Sequence, residues 1–121
     1  MKQIYVCSAL RGDIQENIEK ACNYCEYVVR KCGAIPIAPH IYFTQFLNDD
    51  IPSDRIFGLQ AGLQFLEECD ELWCIGEKVT QGMELEIVAA KKLGIPVRYF
   101  SDEEIRIKCE IDNGGFEYVK I

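Results

Sequence analysis

The feature that most constrains the fold is the alternation of short apolar runs with longer stretches of helical periodicity. Four runs rich in β-branched and aromatic residues are predicted as strands, over residues 2–8, 34–38, 71–76 and 96–100. The segments between them carry apolar residues at three- and four-residue spacing. Strands that alternate with helices form βαβ units, which assemble into a parallel sheet with right-handed crossovers. We therefore predict an α/β fold.

Local signals predict where the helices begin and end. Asp13, with Glu16 three residues later, is typical of a helix N-cap, and Gly33 is expected to end that first helix. A loop is predicted over residues 39–53, and the second helix begins near Ser53 or Asp54. The third helix follows a turn over residues 78–82 and is closed by Gly94.

The same patterns predict which positions are buried. Pro36 indicates that the second strand lies at an edge of the sheet, because proline cannot donate to a ladder. Trp73, within the third strand, is expected in the core. The apolar stripes of the first two helices are expected to face the core, and they comprise Ile14, Ile18, Ala21, Cys22, Cys25, Val28, Val29, Cys32, Ile56, Leu59, Leu63 and Leu66.

The segment from residue 101 onwards differs from the rest of the chain. Apolar and charged residues alternate over residues 105–111, and the run 112–115 (DNGG) is a hairpin turn signal, so a C-terminal hairpin is predicted. A helix over residues 101–111 is the competing interpretation. The length favours a single domain over residues 1–121, with a core over 2–100 and an extension over 101–121.

Charge and cysteine content exclude several classes of function. The net charge of -7 leaves no basic patch for a nucleic acid, and no apolar run is long enough for a bilayer, so neither partner is expected. The N-terminal residues lack a signal-peptide apolar region, which predicts a cytoplasmic protein. Seven cysteines, an odd number, are expected to be free thiols in a reducing compartment. A redox or metal role for Cys22 and Cys25 is the less favoured alternative.

Candidate ligand-binding residues follow the first predicted strand. In open parallel sheets, ligands bind beyond the carboxyl ends of the strands. Small residues, an arginine and a glycine before a helix N-terminus are typical of a loop that binds phosphate through backbone N–H groups. An ordinary strand-to-helix turn explains the same spacing equally well. The residues of this loop are Ser8, Ala9, Leu10, Arg11 and Gly12.

A second candidate segment opens the third helix. Thr80 is placed to cap it, and Gly82 lets a ligand approach the backbone. Glu86 lies four residues after Gly82 and four before Ala90, so that its carboxylate can face a cavity between two small side chains and act as a nucleophile or base. The alternative is that Glu86 and Glu84 are solvated surface charges, which the spacing alone favours.

The third candidate is His40, the single histidine of the chain. It follows the second strand and precedes an aromatic-rich loop. A lone histidine is more often structural than catalytic. Tyr42, Phe43 and Phe46 can stack on a nucleobase or close the core.

These motifs resemble a known superfamily. The run from Tyr5 to Gly12, the pattern Thr80-x-Gly82-Met83-x-x-Glu86, and the later Gly94-Ile95-Pro96-Val97 are similar to nucleoside 2-deoxyribosyltransferase-like proteins. The run over residues 4–100 resembles their small DUF4406-like branch, which is common in phages and bacteria. The resemblance implies a flavodoxin-like (Rossmann-like) three-layer sandwich with four to five parallel strands, and a homodimer or higher oligomer.

The resemblance also implies roles for individual residues. A glutamate at the position of Glu86 attacks C1′ of a deoxyribose, and the glycosyl group then passes to water or another base. Tyr5 matches the residue that positions this nucleophile, Thr80 a hydroxyl that contacts phosphate, and His40 a histidine of the family. No metal or other cofactor is implied. Met83 belongs to the same motif and is included among the substrate-binding residues.

One position departs from the family. An aspartate that holds the sugar hydroxyls is replaced by Gly62, and the candidate substitutes are Gln60, Gln64 and Asp54. Two hypotheses follow. The first is an N-glycosidase or glycosyltransferase acting on a nucleoside or its 5′-monophosphate. The second is a module that binds such a ligand without cleaving it, and a purely structural role is the least favoured.

Overall fold

The computed structural model of the chain describes residues 1–111, with side chains as far as residue 106. Strands and helices alternate along this part of the chain. The strands are β1 (Gln3–Cys7), β2 (Ile35–Ile37), β3 (Glu71–Ile75) and β4 (Val97–Phe100). The helices are α1 (Ile14–Cys32), α2 (Pro39–Phe43), α3 (Pro52–Glu67), α4 (Gln81–Lys92) and α5 (Asp102–Ile111).

The strands of the described residues form one parallel sheet in the order β2-β1-β3-β4. Tyr5 of β1 lies between Ile37 and Leu72, so β1 is central and β2 lies at the edge, as Pro36 indicated. The predicted α/β fold with a parallel sheet is thus confirmed. Strand order reverses between β1 and β3, and the carboxyl ends of the strands at such a point are where open α/β sheets bind ligands.

Alternate residues of β1 face two apolar cores on opposite sides of the sheet. Ile4 and Val6 pack in a core with α1 and α5. Tyr5 and Cys7 pack in the other core, with α3 and α4. Trp73 is buried, as predicted. This two-residue alternation means that one strand presents a tyrosine hydroxyl and a thiol on the same face, toward α4.

The predicted helix ends are observed at α1 and α3. The Asp13 carboxylate accepts a hydrogen bond from the backbone N–H of Glu16 at 3.1 Å, and Gly33 ends α1 in the left-handed conformation, with φ of 58°. α3 begins at Pro52, next to the predicted start, because proline is well suited to the first turn of a helix.

The predicted C-terminal hairpin is wrong over the described residues, which form helix α5. Ser101 and Glu104 make a reciprocal capping box: the N–H of Glu104 donates to Ser101 Oγ at 3.0 Å, and the N–H of Ser101 donates to Glu104 Oε1 at 3.3 Å. Acidic residues in the first turn favour the helix further, and Ile105 is buried in the core against α1. The predicted turn over residues 112–115 lies outside the described residues.

The predicted loop over residues 39–53 is interrupted by the short helix α2, in which Pro39 occupies the first turn. Several predicted core positions are also corrected. On α1, Cys22, Cys32 and Ile14 are exposed, because the core side of this helix is occupied by Tyr24, Tyr27, Ala21 and Val28. On α3, Ile56 is exposed, and the buried positions are Gly62 and Leu66.

Cys7, Cys22, Cys25, Cys69 and Cys74 carry free thiols. No described helix combines the length and the apolar character that a membrane span requires.

Candidate active site

A cavity of about 250 Å³ opens at the carboxyl ends of the strands, on the sheet face covered by α3 and α4. Its walls come from the loop after β1, from α2, from α3 and from the start of α4. Nine of the eleven predicted site residues line it: Tyr5, Ser8, Leu10, Arg11, His40, Thr80, Gly82, Met83 and Glu86. The other two do not. Ala9 lines a separate cavity beside α1, and Gly12 lines neither.

Glu86 is the chemically distinctive group of this cavity. It projects from α4 toward β1, and its Oε2 accepts a hydrogen bond from the Tyr5 hydroxyl. Burial raises the pKa of Glu86 from 4.5 to about 7, although the hydrogen bonds from Tyr5 and Cys7 act to lower it. Glu84, by contrast, is exposed. The cavity therefore holds one carboxyl that is close to half ionised near neutral pH.

Tyr5 and Cys7 hold the two oxygens of this carboxyl from the same strand. Burial, followed by the neighbouring Glu86, raises the pKa of Tyr5 well above 10, so that its hydroxyl stays protonated and donates. The Cys7 thiol lies 3.7 Å from Glu86 Oε1 and 3.7 Å from the Met83 carbonyl oxygen. The pKa of Cys7 is raised by a hydrogen bond with Cys74 and by burial, so the thiol also keeps its proton. Both carboxyl oxygens thus have a donor.

His40 is held in place by Ser8. The Ser8 hydroxyl and His40 Nε2 lie 3.0 Å apart, which joins the loop after β1 to the start of α2. Burial lowers the pKa of His40 to about 4, and the imidazole is neutral at neutral pH. His40 can therefore donate or accept a hydrogen bond at the cavity wall, but it supplies no positive charge there.

Arg11 reaches the cavity already paired with acidic residues. Its Nε lies 2.7 Å from Asp49 Oδ2, its terminal Nη2 donates to the Asp49 carbonyl at 3.3 Å, and the same nitrogen lies 3.7 Å from Asp50 Oδ1. This contact ties the loop after β1 to the segment before α3. The arginine predicted to hold a phosphate is thus largely neutralised by the protein.

Thr80 caps α4 as predicted. Its Oγ accepts a hydrogen bond from the N–H of Met83 at 3.2 Å, and the Met83 side chain packs back over the Thr80 N–H. Met83 is itself buried in the core against β1. The cap fixes the first turn of α4, and Glu86 follows one turn later, so the capping residues set the depth at which the carboxyl enters the cavity.

The aromatic residues before α3 form one edge-to-face cluster together with Phe57 of α3. Phe43 contacts Tyr42, Phe46 and Phe57, with ring centroids 5.2 to 5.8 Å apart. Phe43 lines the cavity, whereas Tyr42 and Phe46 are exposed on the outside of the cluster. Of these three residues, only Phe43 is therefore placed to stack on a nucleobase in the cavity. Tyr42 and Phe46 do not close the core, as the sequence also suggested, because both are exposed.

Gly62 lies directly behind the tyrosine–glutamate contact. A Cβ at this position would stand 2.9 Å from the Tyr5 hydroxyl and 3.8 Å from Glu86 Oε2. The absence of a side chain is therefore what lets the Tyr5 hydroxyl reach the carboxyl. Of the suggested substitutes for an aspartate here, Asp54 lines the cavity, and Gln60 and Gln64 are exposed.

Sequence reasoning missed three residues of the cavity or its supports. No role is predicted for Cys7, although its two-residue spacing from Tyr5 places both on one face of β1. Asp49 and Arg55 stood in segments treated as a loop and a helix start, and no local pattern identifies them. Among the described residues, no group of three histidine, cysteine, aspartate or glutamate side chains could hold a metal ion.

Comparison with known proteins gives a family but no activity. A family model described as a domain of unknown function (DUF7768) matches residues 2–100. The chain belongs to the DUF7768 family. This match does not confirm the DUF4406-like branch predicted from the motifs. No curated protein matches this DUF7768 chain.

One solved structure with the same fold is a 2-deoxyribosyltransferase from the psychrotolerant bacterium Bacillus psychrosaccharolyticus. It superposes with a TM-score of 0.61 at 22% sequence identity, and the match covers 98% of this chain and 77% of the other. At this identity the likeness establishes the fold, which agrees with the architecture expected from the sequence motifs.

Proposed function

We propose that this DUF7768 protein cleaves the N-glycosidic bond of a nucleoside or nucleoside 5′-monophosphate, and passes the glycosyl group to water or to a second base. The observation that carries the proposal is the Glu86 carboxyl, which faces a cavity of about 250 Å³ with Tyr5 bonded to one of its oxygens. A carboxyl with a pKa of about 7 is available as a nucleophile at neutral pH without being fully solvated. The fold shared with a 2-deoxyribosyltransferase supports the same class of reaction.

The proposed reaction proceeds in two displacements. One oxygen of ionised Glu86 bonds to C1′ of the sugar as the C1′–N bond breaks, and the base leaves with the bonding electron pair and takes up a proton from solvent water. Water or a second base then attacks C1′ and releases the glutamate. Oε2 is held by the Tyr5 hydroxyl, so Oε1, which has only the weaker thiol donor, is the attacking atom in this proposal.

The remaining walls of the cavity suit the other parts of such a ligand. Phe43 offers an aromatic face for the base, and the Ser8–His40 pair offers a neutral hydrogen-bonding group beside it. Thr80 lies at the start of α4, where a hydroxyl and the helix dipole favour an anionic group. No cofactor is required by this mechanism.

The test is release of free base. The purified protein is incubated with 2′-deoxynucleosides, ribonucleosides, their 5′-monophosphates and NAD-type substrates, and the products are separated by liquid chromatography. Glu86→Gln should lower base release by about 10³-fold or more, and the matched Glu84→Gln variant should retain it. The wild-type rate should rise with pH to a plateau with a midpoint near pH 7, because the nucleophile must be ionised. Persistence of release in Glu86→Gln would reject the assigned nucleophile.

A second candidate is a protein that binds the nucleotide without cleaving it. The specific observation in its favour is Gly62, which supplies no carboxylate beside the sugar position. Stabilisation by nucleosides or nucleotides in a thermal shift assay, with no base released, would support this alternative. The absence of any ligand response would reject both candidates.

A further inference from the structure

Two arginines line the cavity within the described residues, and their surroundings differ. Arg11 is paired with Asp49 and Asp50. Arg55 lies in the first turns of α3, is partly exposed, and makes no ion pair or side-chain hydrogen bond within the described part of the chain. An unpaired guanidinium at a cavity wall keeps its capacity for a charge-assisted, bidentate contact with an anion.

Arg55 shares one face of α3 with residues that reach the candidate nucleophile. Positions 58, 59 and 62 lie three, four and seven residues after position 55, and all four positions approach the cavity or Glu86. At 1.5 Å per residue, Arg55 begins about 10 Å along the helix axis from Gly62. Gly58 between them carries no side chain, and a Cβ there would meet nothing within 4 Å, so the wall from Gly62 toward Arg55 is open.

Among the described residues of the cavity wall, Arg55 is the cation that remains available to bind an anion. His40 is neutral, and Arg11 is occupied by two aspartates. The acidic groups of the wall are Asp49, which is bonded to Arg11, Asp54 beside Arg55, and Glu86, which enters from α4 opposite Gly62. Arg55 also stands near the positive end of the α3 dipole, where a cation does not stabilise its own helix but adds to the field that attracts an anion.

We infer that Arg55 binds the 5′-phosphate of a nucleoside monophosphate whose sugar lies against Glu86. The inference rests on the proposed function and deepens it, because it selects the monophosphate over the nucleoside and assigns phosphate recognition to α3 instead of the Arg11 loop. In this arrangement the Arg11–Asp49 contact is structural and holds the loop after β1 at the cavity mouth.

The experiment measures binding of matched ligands to matched variants. Four 2′-deoxynucleosides and their 5′-monophosphates are titrated by calorimetry into Glu86→Gln protein, in which turnover is suppressed. Arg55→Gln, Arg11→Gln and Arg30→Gln are each added to this background. Arg30 lies in the last turn of α1, does not line the cavity, and controls for the loss of one arginine charge. Thermal unfolding checks that every variant is folded.

The expected result is that the monophosphate binds more tightly than its nucleoside, and that Arg55→Gln weakens the monophosphate about 10- to 100-fold without changing nucleoside binding. Arg30→Gln should leave both affinities unchanged, and Arg55→Lys should restore part of the loss. Equal binding of nucleoside and monophosphate, or a selective loss in Arg11→Gln alone, would overturn the inference and leave the proposed function intact. If neither the nucleosides nor the monophosphates bind, whether to wild-type or to Glu86→Gln protein, the proposed function itself is rejected.

Discussion

Replacing Glu86 by glutamine should make the protein more stable at high pH, because the buried carboxyl is costly to ionise. Its pKa is raised from 4.5 to about 7 by burial. Between these values the folded protein holds a proton that the unfolded chain has released, so the free energy of unfolding falls as pH rises through this window. The stability associated with protonated Glu86 is thus present at low pH and lost above pH 7.

The size of the effect follows from the shift. One pKa unit corresponds to about 1.4 kcal/mol, so Glu86 should lower the free energy of unfolding by about 2–3 kcal/mol between about pH 5 and about pH 9. Glutamine keeps the shape of the side chain and an acceptor for the Tyr5 hydroxyl, and it does not ionise. The Tyr5 hydroxyl itself stays protonated over this range, since its pKa is raised well above 10.

The assay is urea unfolding of wild type, Glu86→Gln and the matched Glu84→Gln variant at intervals across this pH range. The difference between Glu86→Gln and wild type should grow in favour of the variant as pH rises through about 7 and then level off, whereas Glu84→Gln should run parallel to wild type. Parallel curves for Glu86→Gln and wild type would mean that the carboxyl is solvated in the folded protein. In that case the argument for a water-poor nucleophile is wrong.

Two further substitutions test the support of this carboxyl. Gly62→Ala should destabilise the protein and displace the Tyr5 hydroxyl, because the new Cβ would stand 2.9 Å from that hydroxyl. Gly58→Ala is the matched control: its Cβ would meet nothing within 4 Å, so it should raise the free energy of unfolding by up to about 1 kcal/mol. Urea unfolding compares the two variants, and equal stabilisation by both would contradict the close approach at Gly62. Cys7→Ala should move the titration midpoint of Glu86 to higher pH, because it removes a hydrogen-bond donor, and Cys7→Ser should return the midpoint toward the wild-type value. Carbon-detected NMR of the carboxyl measures this midpoint. An unchanged midpoint in Cys7→Ala would mean that the thiol contact does not matter.

Much of the fold could be predicted from the sequence because its signals are local. The strand runs, the Asp13 cap and Gly33 depend on neighbouring residues, and Pro36 by itself indicated the edge position of β2. The prediction of a hairpin after residue 101 was wrong because two local signals in that segment conflict. Two-residue alternation of apolar side chains suggested a strand, but the Ser101–Glu104 capping box, three residues apart, stabilises a helix start.

The cavity could be predicted only in part. Chain topology brings the ends of parallel strands to one edge, and so Ser8, His40 and Glu86 could be grouped in advance, whereas Tyr5 entered only through the family resemblance. The Arg11–Asp49 pair joins residues 38 positions apart in two irregular segments, and nothing in either segment predicts it. Arg55 has no partner among the described residues, so its importance depends on the shape of the cavity and is invisible in the sequence.

Gly62 shows how one backbone position decides between two arrangements. With this backbone, a side chain at position 62 and a Tyr5 hydroxyl bonded to Glu86 compete for the same space, because a Cβ would stand 2.9 Å from the hydroxyl. An aspartate there could hold sugar hydroxyls only if the tyrosine moved. Asp54, two helical turns away, cannot take its place beside Glu86. In this protein α3 therefore contributes the room that the Tyr5 hydroxyl needs beside the carboxyl, and its one cavity-lining cation, Arg55, stands about 10 Å away along the helix.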